Sequence, residues 1–218
     1  MKYKAVLFGS IGTIIETSEI QRQSFNDAFR ELGLDWYWDE TDYKNFLQKS
    51  GGIKRIEDFA QKNNSTVDAS KIRLRKTELF NKYLIEGNFE PREGVLNIIN
   101  YAKENALKLG FVTSTTTNNI NAVFSALKNF IKKDDFDFIG NKNLIDKPKP
   151  NSEIYYKALD ALSLDPLECI AIEDTEESAK SSLDAKIKCI GFPGNFHLHD
   201  SFDQCEMKVT KLDLSILN

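Results

Sequence analysis

Short apolar runs alternate with segments of helical periodicity over most of this chain. The first run, Tyr3 to Phe8, stops at a glycine and predicts a buried strand. Further apolar runs predict strands at Leu107 to Thr113, Phe136 to Ile139, Cys169 to Ile172, Lys188 to Phe192 and Met207 to Thr210. Helices are predicted between them at Asn118 to Leu127, Ser152 to Leu162 and Glu176 to Ala185. Such alternation predicts an α/β fold with a doubly wound parallel, Rossmann-like sheet, which binds ligands at the carboxyl ends of its strands.

The segment 16–90 lacks this alternation and has a helical pattern throughout. Apolar residues recur at helical spacing from Phe25 to Leu32, and Gly33 follows as a C-cap. A second helical run spans Ile72 to Leu84. We therefore expect an α-helical cap at 16–90, inserted into an α/β core made of 1–15 and 91–218.

Composition excludes several classes of protein. A net charge of −4 over 218 residues gives no basic footprint for nucleic acid. No apolar run approaches the roughly 20 residues of a membrane span, and the N-terminal segment has no signal-peptide pattern. Three cysteines, Cys169, Cys189 and Cys205, are odd in number and lack metal-type spacing. They favour reduced thiols and a cytoplasmic location.

The stretch from Ala5 to Thr13 (AVLFGSIGT) is an apolar strand that runs into a Gly-Thr turn. It resembles the phosphatase signature of the haloacid dehalogenase-like (HAD) superfamily, a hydrophobic run followed by D-x-D-G-T. The resemblance implies a nucleophilic aspartate at the first position and an acid/base aspartate at the second. Gly9 and Ile11 stand there instead. We therefore assign no catalytic residue with the family's chemistry.

Segments of the predicted cap narrow the resemblance to the CbbY-type sugar-phosphate phosphatases. They are Gln23 to Phe29 (QSFNDAF), Gly33 to Trp38 (GLDWYW), Gly51 to Ile56 (GGIKRI) and Lys76 to Phe80 (KTELF). Members of this subgroup hydrolyse phosphate from sugar bisphosphates such as xylulose 1,5-bisphosphate. The resemblance thus implies a small phosphorylated metabolite as the ligand.

Other family positions are retained. The resemblance implies that Thr113 and Lys147 hold the phosphoryl group, that Glu173 and Asp174 hold Mg²⁺, and we add Arg55 as a ligand contact from the cap. Each has an ordinary alternative. A threonine often caps a strand, a lysine beside prolines is often a surface residue in a turn, and Asp174 could be a helix N-cap.

Departures from the family pattern cluster around the predicted cleft. The family's T-E-E-L-H is Thr17 to Gln21 (TSEIQ) here, and Ile53 replaces the lysine that follows the glycine pair in the subgroup. With two carboxylates lost, Mg²⁺ is expected to bind poorly, and Glu173 and Asp174 are interpreted as a vestigial metal pair. We expect Lys147 to form an ion pair with one of them instead.

Two further groups of residues carry side chains that could take part in chemistry. Strand alternation predicts that Ser10 points away from the face that carries Gly9 and Ile11. His197 and His199 are more typical of a solvated loop than of a metal site. We also expect the fold to accommodate aspartate at positions 9 and 11, because the family does.

Three functions are consistent with these observations. The first is an inactive or severely impaired relative of sugar-phosphate phosphatases that still binds a phosphorylated ligand through Thr113, Lys147 and Arg55. The second is a phosphatase that acts by an atypical route, such as water attack assisted by Lys147 and Asp174. The third is a protein-interaction module whose cleft is vestigial.

Overall fold

The computed structural model describes residues 2–47 and 51–217. Contacts divide the chain into two compact units, Met1–Glu16 with Asn88–Asn218, here called the α/β unit, and Thr17–Gly87, here called the helical unit. The predicted fold class is confirmed, since helices flank a parallel sheet in the α/β unit.

Six strands make up the sheet within the described residues. They are β1 (Ala5–Phe8), β2 (Lys108–Phe111), β3 (Phe138–Ile139), β4 (Cys169–Glu173), β5 (Lys188–Gly191) and β6 (Met207–Lys208). The order is β3-β2-β1-β4-β5-β6 and all pairings are parallel. Because β1 lies between β2 and β4, the loop that follows Phe8 emerges beside the end of β4, where Glu173 and Asp174 lie.

Five helices belong to the α/β unit in the described chain. They are α1 (Ile11–Ile14), α6 (Val95–Glu104), α7 (Thr117–Ala126), α8 (Glu153–Leu162) and α9 (Glu176–Asp184). Leu7, Ala171 and Cys189 contribute to a fully buried core together with Ile154 and Tyr155 of α8. This packing fixes α8 against the sheet, and Tyr155 is thereby carried beneath the end of β4.

The helical unit contains α2 (Ser18–Glu31), α3 (Glu40–Leu47), α4 (Gly52–Lys62) and α5 (Ala69–Glu86). Its core is aromatic. Trp38 is fully buried, and its ring centroid lies 4.8 Å from those of both Phe25 and Phe29 and 5.5 Å from that of Phe59. Gly33 adopts φ = 74° just after α2, as its predicted role as a C-cap requires.

Sequence patterns located the six strands, and the three helices α7, α8 and α9, to within one or two residues. The helix α6 was not predicted, although its buried residues Val95, Ile98, Ile99 and Ala102 have helical spacing. None of the helices in the described part of the chain has the length and apolarity of a membrane span.

Candidate functional site

The chain turns sharply as it leaves β1. Gly9 still continues the sheet, since its N–H donates to the carbonyl of Ile172 at 2.8 Å. Ser10 then takes the N-cap position of α1, and its Oγ donates to Oδ1 of Asp174. The prediction that Ser10 points away from the site is therefore wrong. Side chains alternate only within a strand, and the strand ends at Phe8.

The carboxylate of Glu173 fills the space above Gly9. A Cβ atom built on Gly9 would lie 1.9 Å from Cδ of Glu173 and 2.1 Å from both carboxylate oxygens. An aspartate at position 9, which we expect the fold to accommodate, would therefore require the Glu173 carboxylate to move. Gly9 is the residue that lets Glu173 fold inward.

A buried lysine neutralises Glu173. Nζ of Lys149 lies 2.5 Å from Oε1 of Glu173, and the two side chains are 7% and 0% exposed. The same ammonium donates to the carbonyl oxygen of Gly9 at 2.8 Å. Tyr155 completes the arrangement, since its hydroxyl donates to Oε1 of Glu173 at 2.6 Å. We call Gly9, Lys149, Tyr155 and Glu173 the ammonium cluster.

The predicted ion pair therefore forms with a different lysine. Lys147 is exposed, and its backbone N–H donates to Glu153 Oε2 at 2.9 Å. Lys147-Pro148-Lys149-Pro150 offers two lysines in nearly identical local sequence. The path of this loop decides which lysine turns inward. In this loop the N–H of Asn151 donates to the carbonyl oxygen of Pro148 at 3.1 Å.

Burial dominates the electrostatics of the ammonium cluster. It raises the pKa of Glu173 to about 7, against the opposing effect of Lys149, and the neighbouring Asp174 raises that pKa further. Burial also raises the pKa of Tyr155 well above its ordinary value, so that its hydroxyl stays a donor. Oε2 of Glu173 is buried and has no hydrogen-bond partner in the described chain.

Asp174 contacts the loop after β1 and the start of α1. Its Oδ2 would lie 1.9 Å from a Cβ atom on Gly12, and its Oδ1 accepts from Ser10. Arg92 anchors the loop by donating to the carbonyl of Gly12 at 2.6 Å. Asp174 is not the N-cap of α9, because that position is occupied by Thr175, whose side chain accepts from Ser178 N.

The residues at this strand end do not fit Mg²⁺. Mg²⁺ requires near-octahedral oxygen coordination and gives up its water reluctantly. Here the ammonium of Lys149 lies against both Gly9 O and Glu173 Oε1, while Asp174 is bonded to Ser10. Within 2–47 and 51–217, no group of three or more His, Cys, Asp or Glu residues could hold a metal ion. The oxygen Oε2 of Glu173, which has no hydrogen-bond partner among the described residues, would supply only one ligand to a metal ion.

The remaining predicted residues of the α/β unit lie in ordinary local structure. Thr113 is buried, and its Oγ1 accepts from the N–H of Thr115 at 3.2 Å. His197 Nδ1 lies 2.8 Å from Asp200 Oδ2, and His199 is exposed. The solvated-loop interpretation stays a prediction, because the side chain of His197 is only 18% exposed.

A second cluster of charge lies in the helical unit. Arg55 on α4 donates through Nε to Phe46 O at 3.0 Å, and its guanidinium lies 5.6 Å from the ring centroid of Tyr43. Arg73 of α5 approaches the start of α4 closely, since a Cβ atom on Gly52 would lie 2.6 Å from its Nε. Lys76 is 3% exposed and lies one turn further along α5. We call Arg55, Arg73 and Lys76 the cation cluster.

The ammonium group of Lys76 is buried, and few polar groups surround it. Its Nζ donates to Gln21 Oε1 at 3.1 Å and lies 5.1 and 4.7 Å from the ring centroids of Phe25 and Phe80. In the described chain, no carboxylate forms an ion pair with it. Burial lowers the pKa of Lys76 well below its ordinary value, and the positive charges of the cation cluster lower it further. An anion bound here would be attracted by all three cations.

Comparison with known proteins identifies the family. The sequence model described as haloacid dehalogenase-like hydrolase matches residues 6–192. The chain belongs to this family. It is 33% identical over 202 residues to the protein CbbY of Cereibacter sphaeroides, covering 91% of this chain and 88% of that protein. It is 31% identical over 215 residues to the CbbY of Rhodobacter capsulatus, covering 97% and 95%.

Solved structures agree with this result. The crystal structure of CbbY from Rhodobacter sphaeroides in complex with phosphate has a TM-score of 0.84 and 30% identity, covering 96% of this chain and 94% of that chain. A variant of the same protein in complex with xylulose 1,5-bisphosphate matches with the same values. The predicted resemblance to HAD-like and CbbY-type proteins is confirmed.

Sequence reasoning missed four of the residues that define the two clusters. Lys149 and Tyr155 have ordinary positions in the sequence, one beside prolines and one on the apolar face of a helix. Arg73 and Lys76 are three residues apart on α5, and residues at this spacing share one face of a helix. The sequence could therefore have predicted that these two cations lie close together. Nothing in the sequence showed that Lys76 is buried and, among residues 2–47 and 51–217, forms no ion pair with a carboxylate.

Proposed function

We propose that this HAD-family chain binds a small phosphorylated molecule and does not hydrolyse it by the family's aspartate route. The observation that carries the proposal is the position of Glu173. Its carboxylate occupies the space in which a side chain at position 9 would stand, and Lys149 and Tyr155 hold it there. A phosphoryl group could not meet a nucleophile at that point.

The cation cluster supports a phosphate ligand. Arginine and lysine bind phosphate oxygens through charge-assisted hydrogen bonds, which are stronger than neutral ones. Lys76 lacks a carboxylate partner in the described residues, and a phosphate dianion would remove the unfavourable repulsion among the three cations. The CbbY relative in complex with xylulose 1,5-bisphosphate supports a sugar phosphate as the ligand class. Thr113 and Lys147 remain predicted contacts.

We expect no metal-dependent phosphatase turnover. Both aspartates of the covalent route are absent, and loss of general acid/base help alone costs typically ~10²–10⁴-fold. The measurement is phosphate release from a panel of sugar phosphates and bisphosphates with Mg²⁺. Turnover near the enzyme median of about 10 s⁻¹ would contradict the proposal, provided that preparations of two independent expression hosts agree.

Ligand binding is tested separately by thermal unfolding with the same panel. A ligand that binds only the folded chain adds RT ln(1 + [L]/Kd) to the free energy of unfolding. We expect a sugar phosphate or bisphosphate to raise the midpoint, and Arg55→Ala and Arg73→Ala to reduce that rise. No rise with any member of the panel would favour the protein-interaction function.

One observation favours the atypical phosphatase as a second candidate. Asp174 Oδ1 accepts from Ser10 Oγ, and a carboxylate in this position could take the proton of an attacking serine. If phosphate release is observed, Ser10→Ala should abolish it. Release that survives Ser10→Ala would exclude this route.

The three cysteines support the predicted cytoplasmic location. Cys169 and Cys189 are buried, Cys205 is half-buried, and all three are free thiols. Free thiols persist in a reducing compartment.

A further inference from the structure

We propose that the ammonium of Lys149 is a built-in cation, which takes the place of a metal ion at the end of β1 and β4. This inference goes beyond ligand binding, because it concerns what holds the strand ends together. It predicts a protein whose stability does not depend on Mg²⁺. It also predicts that truncation of Lys149 opens a site for a small organic cation.

The first support is the set of atoms around Nζ. A backbone carbonyl oxygen, Gly9 O, lies at 2.8 Å, and a carboxylate oxygen, Glu173 Oε1, lies at 2.5 Å. Carbonyl and carboxylate oxygens are the donors that hard metal cations use. The lysine thus binds two oxygens of a kind that, elsewhere in proteins, often face a metal.

The second support is burial. The side chains of Lys149 and Glu173 are 7% and 0% exposed, and Nζ lies 5.0 Å from the ring centroid of Tyr155. A buried ammonium is stable only when its charge is balanced and its protons are hydrogen-bonded. One lysine balances one carboxylate, whereas a divalent ion beside Glu173 would require further negative ligands. The Oδ1 atom of Asp174 accepts from Ser10, and its Oδ2 lies close to Gly12.

The third support is connectivity. Lys149 bonds to Gly9, which is 140 residues away in the chain, and to Glu173, which is 24 residues away. One ammonium therefore joins the loop after β1, the end of β4 and the segment before α8. Gly9 makes the arrangement possible, since any Cβ there would displace the Glu173 carboxylate. Gly9 leaves room for the Glu173 carboxylate, and Lys149, the second lysine of the proline-rich segment, pairs with it.

The experiment compares thermal unfolding of the full chain and two variants. The wild-type midpoint should be the same in Mg²⁺ and in a chelator. Lys149→Ala should lower the midpoint by roughly 6 °C or more, because it leaves Glu173 buried and unpaired. The matched control is Lys147→Ala, an exposed lysine two residues earlier, which should change the midpoint by less than about 1 °C.

Chemical rescue tests the cation itself. Propylammonium replaces the atoms that Lys149→Ala removes, and it should raise the midpoint of that variant while leaving the wild type unchanged. Tetramethylammonium, which has no N–H donor, and sodium at equal ionic strength should not do so. Equal rescue by all three cations would overturn the proposal, since it would indicate a non-specific salt effect.

A direct measurement of metal binding to the wild type tests the proposal even if Lys149→Ala does not fold. Mn²⁺ titrated into the wild type and followed by electron paramagnetic resonance should show no stoichiometric binding. A tight site, or a wild-type midpoint that rises with Mg²⁺, would overturn the proposal. None of these readouts involves a phosphorylated ligand or turnover, so they can fail or succeed independently of the proposed function.

Discussion

Replacement of Gly9 by aspartate, the change that restores the family's nucleophile, is expected to destabilise the protein and leave it inactive. The new Cβ atom would lie 1.9 Å from Glu173 Cδ, so the Glu173 carboxylate must leave its position beside Lys149 and Tyr155. Overpacking of this kind costs about 1–3 kcal/mol, and an unpaired buried charge adds to that cost. Ile11 would still occupy the position of the acid/base aspartate.

A pair of variants separates the steric effect from the electrostatic one. Gly9→Ala adds only the Cβ atom and should lower the free energy of unfolding by about 1–3 kcal/mol in denaturant titrations. In the background of Glu173→Ala the same substitution should cost much less, because the atoms it meets have been removed. Equal costs in the two backgrounds would show that Glu173 does not fill the space above Gly9.

The activity of the aspartate variants gives an independent readout. Gly9→Asp alone should show no phosphate release from sugar phosphates with Mg²⁺. Gly9→Asp combined with Ile11→Asp is the better candidate for restored activity, since it supplies both missing carboxylates, but it retains the steric conflict with Glu173. Full activity of the single variant would contradict the role assigned to the second position.

Replacement of Lys76 by methionine is expected to stabilise the protein and weaken binding of a phosphorylated ligand. Lys76 is 3% exposed, its Nζ donates to Oε1 of Gln21, and Arg73 lies on the same helix. A methionine of similar length removes the cost of burying a charge and keeps the contacts with Phe25 and Phe80. Burial lowers the pKa of Lys76 because it disfavours the charged ammonium, and methionine carries no charge to bury.

The increase in the free energy of unfolding expected for Lys76→Met depends on pH in a defined direction. The pKa of Lys76 is lower in the folded chain than the ordinary value of 10.5. Between the two pKa values the unfolded chain binds more protons, so wild-type stability rises with pH. The advantage of Lys76→Met should therefore be largest below the folded pKa and shrink as the pH approaches about 10. Denaturant titrations at several pH values measure this.

The second measurement on Lys76→Met is the binding of a phosphorylated ligand. Loss of one charge-assisted hydrogen bond to phosphate should weaken ligand binding by about 10-fold or more. Lys71→Met, an exposed lysine on the same helix, is the matched control and should change neither stability nor binding appreciably. If Lys76→Met destabilises the chain, or leaves the binding of every phosphorylated ligand unchanged, Lys76 is a structural residue and not a ligand contact.

The sequence by itself determined the architecture of the α/β unit. Runs such as Ala5–Phe8 and Cys169–Glu173 are apolar, short and separated by helical segments, and this pattern admits few arrangements other than a parallel sheet. It also placed Gly9, Ile11 and Glu173 at neighbouring strand ends, because parallel strands bring their carboxyl ends to one edge. The residues also show directly that Gly9 and Ile11 stand where the resemblance implies two aspartates.

Only the tertiary structure decided how that strand end is occupied. Lys147 and Lys149 are equivalent in the sequence, and the path of a loop turned the second one inward to Glu173 and Gly9. Ser10 faces Asp174 because strand alternation ends at Phe8, one residue before the turn begins. Lys76 became a charged residue with little compensation because α5 buries it among aromatic rings. In each case side-chain direction and burial depend on contacts between distant segments, whereas the pattern along the chain records only periodicity.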